Sequence, residues 1–201
     1  LRECGVGAEV LGRVAVKNRG HGARNPDAQA RKPVDLDEVM SSRMVFDPLT
    51  LLQCCPSAVD GAAALVLTTR RPAQRGQAVR VLASSVQSGR LETGCDDILA
   101  AEIAARAARK AYEEAGVKPE DLDLVELHDA FSIAELVYYN ALGLCQRGEA
   151  HALLASGATT LGGRLPVNPS GGLLAKGHPL GATGVAQMVD AAWHPEGRPG
   201  D

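Results

Sequence analysis

Aromatic side chains are nearly missing from this sequence: two Phe, three Tyr and one Trp make up 3% of 201 residues. A core with so few large rings depends on small side chains and close backbone approach, which the 22 glycines permit. A basic surplus is also missing. The formal net charge of -3 argues against nucleic acid as the main partner. No apolar run approaches the ~18 residues that a membrane helix needs, so no membrane-spanning segment is expected. The five cysteines contain no Cys-x-x-Cys pair, and Cys54 and Cys55 are adjacent. A disulfide framework or a zinc site is therefore not expected, and reduced thiols in a cytoplasm are. Each cysteine reads first as a small buried hydrophobe. The sequence opens on Leu1 without a leader pattern and closes on Gly200-Asp201 without a targeting tripeptide, so a processed or partial cytoplasmic chain is expected.

The content that is present is ordinary for a globular protein: 45% apolar and 22% charged residues. Residues 1–50 read as a loop-rich subdomain. Six basic residues (Arg13, Lys17, Arg19, Arg24, Arg31 and Lys32) face one acid, Asp27, and are expected on a solvated face. Gly20, Gly22, Asn25, Pro26 and Pro33 are expected to break regular structure there. From Asp60 the texture changes. DGAAALVLTT reads as a buried strand and Gln77 to Ser88 as another. Asp96 to Gly116 predicts an Ala-rich helix with Gly116 as its left-handed cap. Asp121 to His128 predicts a strand, and Phe131 to Leu142 a helix closed by Gly143. The alternation predicts an α/β fold.

Two stretches carry chemistry. In HDAFS, His128 ends a predicted strand just before a helix, the edge where ligands collect in α/β folds. An isolated histidine there more often makes a local hydrogen bond. Ser132 and Glu135 have the spacing of a capping box. In NPSGGLLAKGHPLGATG, Asn168 to Gly184, Pro179 suits the first helical position, which would place His178 at a helix entrance. The helix dipole there disfavours imidazolium, and a neutral imidazole can act as a base or as a donor to an oxyanion. Gly171, Gly172, Gly177, Gly181 and Gly184 let backbones approach closely, either to admit a substrate chain or for tight packing. Gly172 and Gly177 have a phosphate-loop gap, but His178 stands where that loop needs Lys, so a nucleotide loop is rejected.

NPSGGLLAKGHPLGATG resembles the C-terminal signature of thiolases. HDAFS resembles the histidine form of the superfamily's Asn-Glu-Ala-Phe motif, as in the sterol-carrier-protein type, also known as non-specific lipid-transfer proteins. Residues 51–67, Glu126 to Cys145 and Lys17 to Gln29 support the likeness, which runs from about residue 10 to Trp193. It implies an α/β fold of stacked α-β-α-β-α layers, usually dimeric. This chain would supply the C-terminal half (76–193), the last strand region of the N-terminal half (51–75) and part of the loop subdomain (1–50). Residues 194–201 are expected to be a disordered or foreign tail.

The resemblance also implies a reaction: Claisen condensation, or thiolytic cleavage of a 3-oxoacyl-CoA, through an acylated cysteine and two oxyanion holes. His178 and His128 would be catalytic. His178 activates the nucleophile, and His128 positions the thioester oxygen. Asn168, Gly171, Gly172, Phe131 and Gly177 would form the substrate-binding set. No covalent cofactor and no metal are implied; coenzyme A thioester is the substrate. The partners implied are acyl-CoA and a second copy or a partner supplying the N-terminal half, with no nucleic acid and no membrane. Two departures bear on the chemistry. None of the five cysteines stands at the nucleophile position, which belongs to the family's N-terminal half. Ala130 stands where the sterol-carrier type often has a proton-shuttling cysteine. The alternatives are a retro-aldol lyase, a non-catalytic lipid or acyl-CoA carrier, and an inactive fragment.

Overall fold

The structure is a computed structural model and describes residues 1, 4–56, 59–69, 79–89 and 101–193. Its central element is helix α1 (Glu9–Gly22). Val10, Leu11, Val14 and Ala15 recur at one-turn spacing, and Asn18, His21 and Gly22 extend the same buried stripe. The expectation of broken structure from Arg13 onward is therefore corrected: the helix continues through Gly20 to Gly22. Packing overrides the helix penalty of glycine. A Cβ on Gly22 would meet the Ala175 side chain, and one on Gly12 would meet Leu36 and Met40.

Helix α2 (Leu36–Ser41) starts at Asp35, whose carboxylate accepts from the Glu38 N–H at 2.8 Å. A short antiparallel pair follows, β1 (Met44–Phe46) with β2 (Leu49–Thr50), then a 3-10 turn at Leu51–Gln53. Beyond it, Cys54 bridges antiparallel to Phe131, and the Cys55 N–H donates to the Ala130 carbonyl at 2.9 Å.

The strands predicted at 60–69 and 77–88 are not paired among the described residues, which here are 59–69 and 79–89; residues 70–78 lie outside them. Val66 is 92% exposed and Val86 89%. A strand needs a neighbour for its backbone groups and a cover for its apolar face, and neither is found for these among the described residues. Helix α3 (Glu102–Ala115) ends as predicted, with Gly116 at φ 69° and its N–H on the Tyr112 carbonyl. The expected start at Asp96 and the tail at 194–201 lie outside the described residues.

The strand predicted at 121–128 is trimmed by a 3-10 turn at Pro119–Asp121. What remains is one parallel bridge, Val125 with Val167, held by Val125 N–H to Pro166 O (3.0 Å) and Asn168 N–H to Val125 O (2.7 Å). Four helices complete the described chain: α4 (Ser132–Ala141), α5 (Ala150–Ala155), α6 (Gly172–Lys176) and α7 (Thr183–Trp193). The result is α/β, with helices gathered around short pairings. Its core joins Leu11 and Val14 of α1 to Val39, Leu136, Tyr139, Val167 and Leu174.

Candidate active site

The Val125–Val167 bridge aligns the two motif-bearing segments side by side. One continues into His128; the other turns through α6 and reverses at Gly177, at φ 102°, to reach His178. The two rings meet edge to face, with centroids 4.8 Å apart at 88°. Residues fifty positions apart thus share one face. His128 is exposed and His178 half-buried.

His178 does not sit at a helix entrance. The chain makes a turn at Pro179–Ala182, and α7 begins only at Thr183. A helix dipole acts within its terminal turn, so it is not the main influence on the imidazole. Burial, and next the neighbouring His128, lower the His178 pKa instead. Thr183 sets the proton. Its hydroxyl donates to the Pro179 carbonyl at 3.0 Å and lies 2.8 Å from His178 Nδ1. With that hydrogen committed, the network assigns the proton to Nδ1, which donates to Thr183 Oγ1. Nε2 is then left as the basic nitrogen.

The other expected site residues divide. Phe131 is half exposed beside the pair. Asn168 is fully buried, its carbonyl taking the Leu127 N–H at 2.9 Å and its amide donating to Glu135 at 2.8 Å. It acts from behind the site rather than by touching a ligand. The glycines, for which the sequence left two uses open, have packing partners. A Cβ on Gly171 would come to 2.7 Å from Gly22 Cα; one on Gly172 would strike the Asp129 carboxylate; one on Gly177 would lie 3.2 Å from Val59.

The capping box at Ser132 and Glu135 is not formed. The N-cap is Phe131, and the Ser132 hydroxyl, though buried, has no hydrogen-bond partner. Glu135 turns inward because Lys17 waits there, 2.8 Å away, with its side chain only 4% exposed. Lys17 is thus not on a solvated face. Glu135 also accepts from Asn18 at 2.8 Å and Tyr139 at 2.5 Å. Sequence reasoning missed this buried cluster. Its signal was Asn18 and His21 lying on the apolar stripe of α1.

Around it, His21 donates from Nδ1 to the Asn168 carbonyl (2.9 Å) and accepts at Nε2 from the Leu161 N–H (3.1 Å). Burial, then the Lys17 charge, push His21 down to about 4. Glu126 accepts from Ser170 N–H and Oγ, each at 2.9 Å, and burial pushes it up to about 7. Burial, then the Glu135 charge, hold the Asp129 carboxyl well above the usual range.

Burial raises the pKa of the Cys54 and Cys55 thiols and pushes Cys145 up to about 11, so none of the three is an activated thiolate. Among the described residues no cluster of His, Cys, Asp and Glu could hold a metal ion. No helix there is long and apolar enough to cross a membrane. An open cleft of about 660 Å³ runs along α7, lined by Val59, Gly61, Pro179, Ala182, Thr183 and Trp193 among others. Neither histidine lines it, but Thr183 touches both.

Comparison with known proteins gives a consistent result. The family model described as thiolase C-terminal domain-like matches residues 84–200. Sterol carrier protein 2 of Gallus gallus is 43% identical over all of this chain and 38% of its own length. Benzoylsuccinyl-CoA thiolase subunit BbsB of Thauera aromatica is 45% identical over 94% of this chain and 50% of its own length. Thus the chain spans half or less of each of these two relatives. Among solved structures, the Ltp2-ChsH2(DUF35) aldolase superposes with a TM-score of 0.80 at 26% identity, covering 99% of this chain and 53% of that one.

Proposed function

The chain belongs to the thiolase C-terminal domain-like family, and on that premise we propose that it supplies the histidine pair of an acyl-CoA acyltransferase. The reaction is thiolytic cleavage of a 3-oxoacyl-CoA, or the reverse Claisen condensation, in lipid or sterol side-chain metabolism. The single observation that carries this reading is the 4.8 Å contact between His128 and His178. His178 Nε2 takes the proton from the attacking thiol, since Thr183 occupies its Nδ1–H. His128, exposed at the rim, donates to the thioester oxygen as negative charge develops there. Phe131 lies beside the acyl group. The nucleophilic cysteine comes from the thiolase half outside these residues, in the same polypeptide or a partner, and the assembly is a cytoplasmic dimer. CoA thioester enters as substrate, with no bound cofactor.

The test is thiolysis of acetoacetyl-CoA by the chain assembled with a nucleophile-bearing thiolase half. His178→Ala is expected to slow it by about 10²–10⁴-fold; an unchanged rate would rule the reading out.

A second reading has its own support: Ala130 offers no proton-shuttling thiol, and the solved neighbour is an aldolase. In a retro-aldol cleavage a base takes the hydroxyl proton of a 3-hydroxyacyl-CoA and the Cα–Cβ bond breaks. A carbonyl product leaves, and the thioester enolate is protonated. Product analysis with 3-hydroxyacyl-CoA against 3-oxoacyl-CoA separates the two, since only the second substrate yields thiolytic products.

A further inference from the structure

We propose that the buried Glu135 carboxylate is a positioning residue, a hub whose hydrogen bonds hold His128 and His178 in register; the proposal rests on reading those two histidines as the acting pair. Four donors converge on this carboxylate. Lys17 Nζ and the Tyr139 hydroxyl reach Oε1 at 2.8 and 2.5 Å, and the Asn18 and Asn168 amides reach Oε2, both at 2.8 Å. Glu135, Asn18, Asn168 and Tyr139 are fully buried, and Lys17 nearly so.

From the hub, short paths lead to both histidines. Asn168 passes its carbonyl to the Leu127 N–H at 2.9 Å, fixing the residue before His128. Asn18 shares its amide with Asp129 at 2.7 Å, fixing the residue after it. The Asp129 carboxylate then accepts the Leu173 N–H at 2.7 Å, in the first turn of the helix that ends two residues before His178. Lys17 adds a bond to the Val167 carbonyl at 2.7 Å, beside Asn168. His128 is thus gripped on both sides, and the His178 segment is anchored to the same group. Asn168 itself adopts φ 53°, a left-handed conformation that its two amide bonds hold in place.

A carboxylate that only balanced Lys17 would need one good contact. The remaining three donors tie together segments more than a hundred residues apart in sequence. Removing one partner of a buried pair destabilises in any case, so stability loss alone does not identify a positioning role. The distinguishing property is the ring–ring contact.

The experiment uses the 201-residue chain with isotope-labelled histidine and measures the nuclear Overhauser effect between the His128 and His178 ring protons. Three variants are compared. Glu135→Gln places a donor amide against donors and should abolish the effect. Lys17→Met leaves Glu135 with three of its partners and should keep it. Leu11→Ala, a core truncation away from the hub, should also keep it at a comparable fall in Tm. If Glu135→Gln retains the contact, or if Leu11→Ala loses it, the proposal is overturned. Should Glu135→Gln not fold, Asn18→Ala carries the same test, since it cuts the link to Asp129, and a retained contact again overturns the proposal.

In the assembled enzyme, kcat for Glu135→Gln should fall about 100-fold with KM held, the effect of a small misplacement. The ring contact is read without turnover. A lost contact combined with an inactive-site result for His178→Ala would therefore leave the hub standing and remove only the functional reading.

Discussion

The packed end of the molecule, where α1, α4 and α6 meet, contrasts with the two apolar stretches at 59–69 and 79–89. In the first, even charged groups are buried and hydrogen-bonded. In the second, valines and leucines stand in the open, and no ladder partner is found among the described residues. Both regions are rich in small and aliphatic residues, so composition does not separate them. What separates them is whether this stretch of chain contains the other side of the contact. Helices satisfy their own backbone and need only a stripe of neighbours; strands need a partner along their whole length.

Breaking the packed region should have the largest effect. Gly172 holds φ 59° and faces the Asp129 carboxylate with no room for a methyl group. Gly172→Ala is expected to cost ~2–4 kcal/mol, combining left-handed strain with overpacking, measured by urea unfolding.

A second intervention sharpens the contrast through pH. The folded His21 pKa is about 4 against an ordinary 6.5, so only the unfolded chain takes up a proton in that range. Its contribution to stability is complete above pH 6.5 and is lost as the pH falls toward 4. Glu126, raised to about 7, and Asp129, raised as well, act with the opposite sign: their contribution is complete below the unfolded carboxylate pKa and fades as pH rises. Removing His21 leaves the carboxyl contribution alone. His21→Gln should therefore gain relative to the native chain by roughly 2–3 kcal/mol on going from pH 7 to 4.5. Paired thermal melts at the two values provide the check.

The smallest effect belongs to the open stretches. Val66→Thr and Val86→Thr are expected to change stability by no more than about 0.5 kcal/mol, as for other exposed positions. A larger loss by the same melts would mean that these segments pack against something in solution, and the contrast would narrow.

Much of the site was legible in the sequence, because its two histidines lie in ordered motifs with glycine and proline at telling positions. The α3 cap at Gly116 and the end of α4 were legible for the same local reasons. The long first helix was not, because two glycines near its end read as breakers when they are there to let Ala175 and Gly171 approach. Nor was the Glu135 hub. A Ser-x-x-Glu spacing has a ready local explanation, and only tertiary proximity to Lys17 turns the carboxylate inward. The turn at Pro179–Ala182, which delays α7 to Thr183, depends on the same kind of distant contact.

The meeting of Gly22 with Gly171 carries a consequence for the history of such a chain. Bare backbone faces bare backbone at that joint, so there is no side chain on either part to trim in compensation for a change on the other. Neither position has a neutral first step. The two sites are frozen together, and variation in related chains should flow around them, into the cysteine pair, the hairpin tip and the outer face of α3.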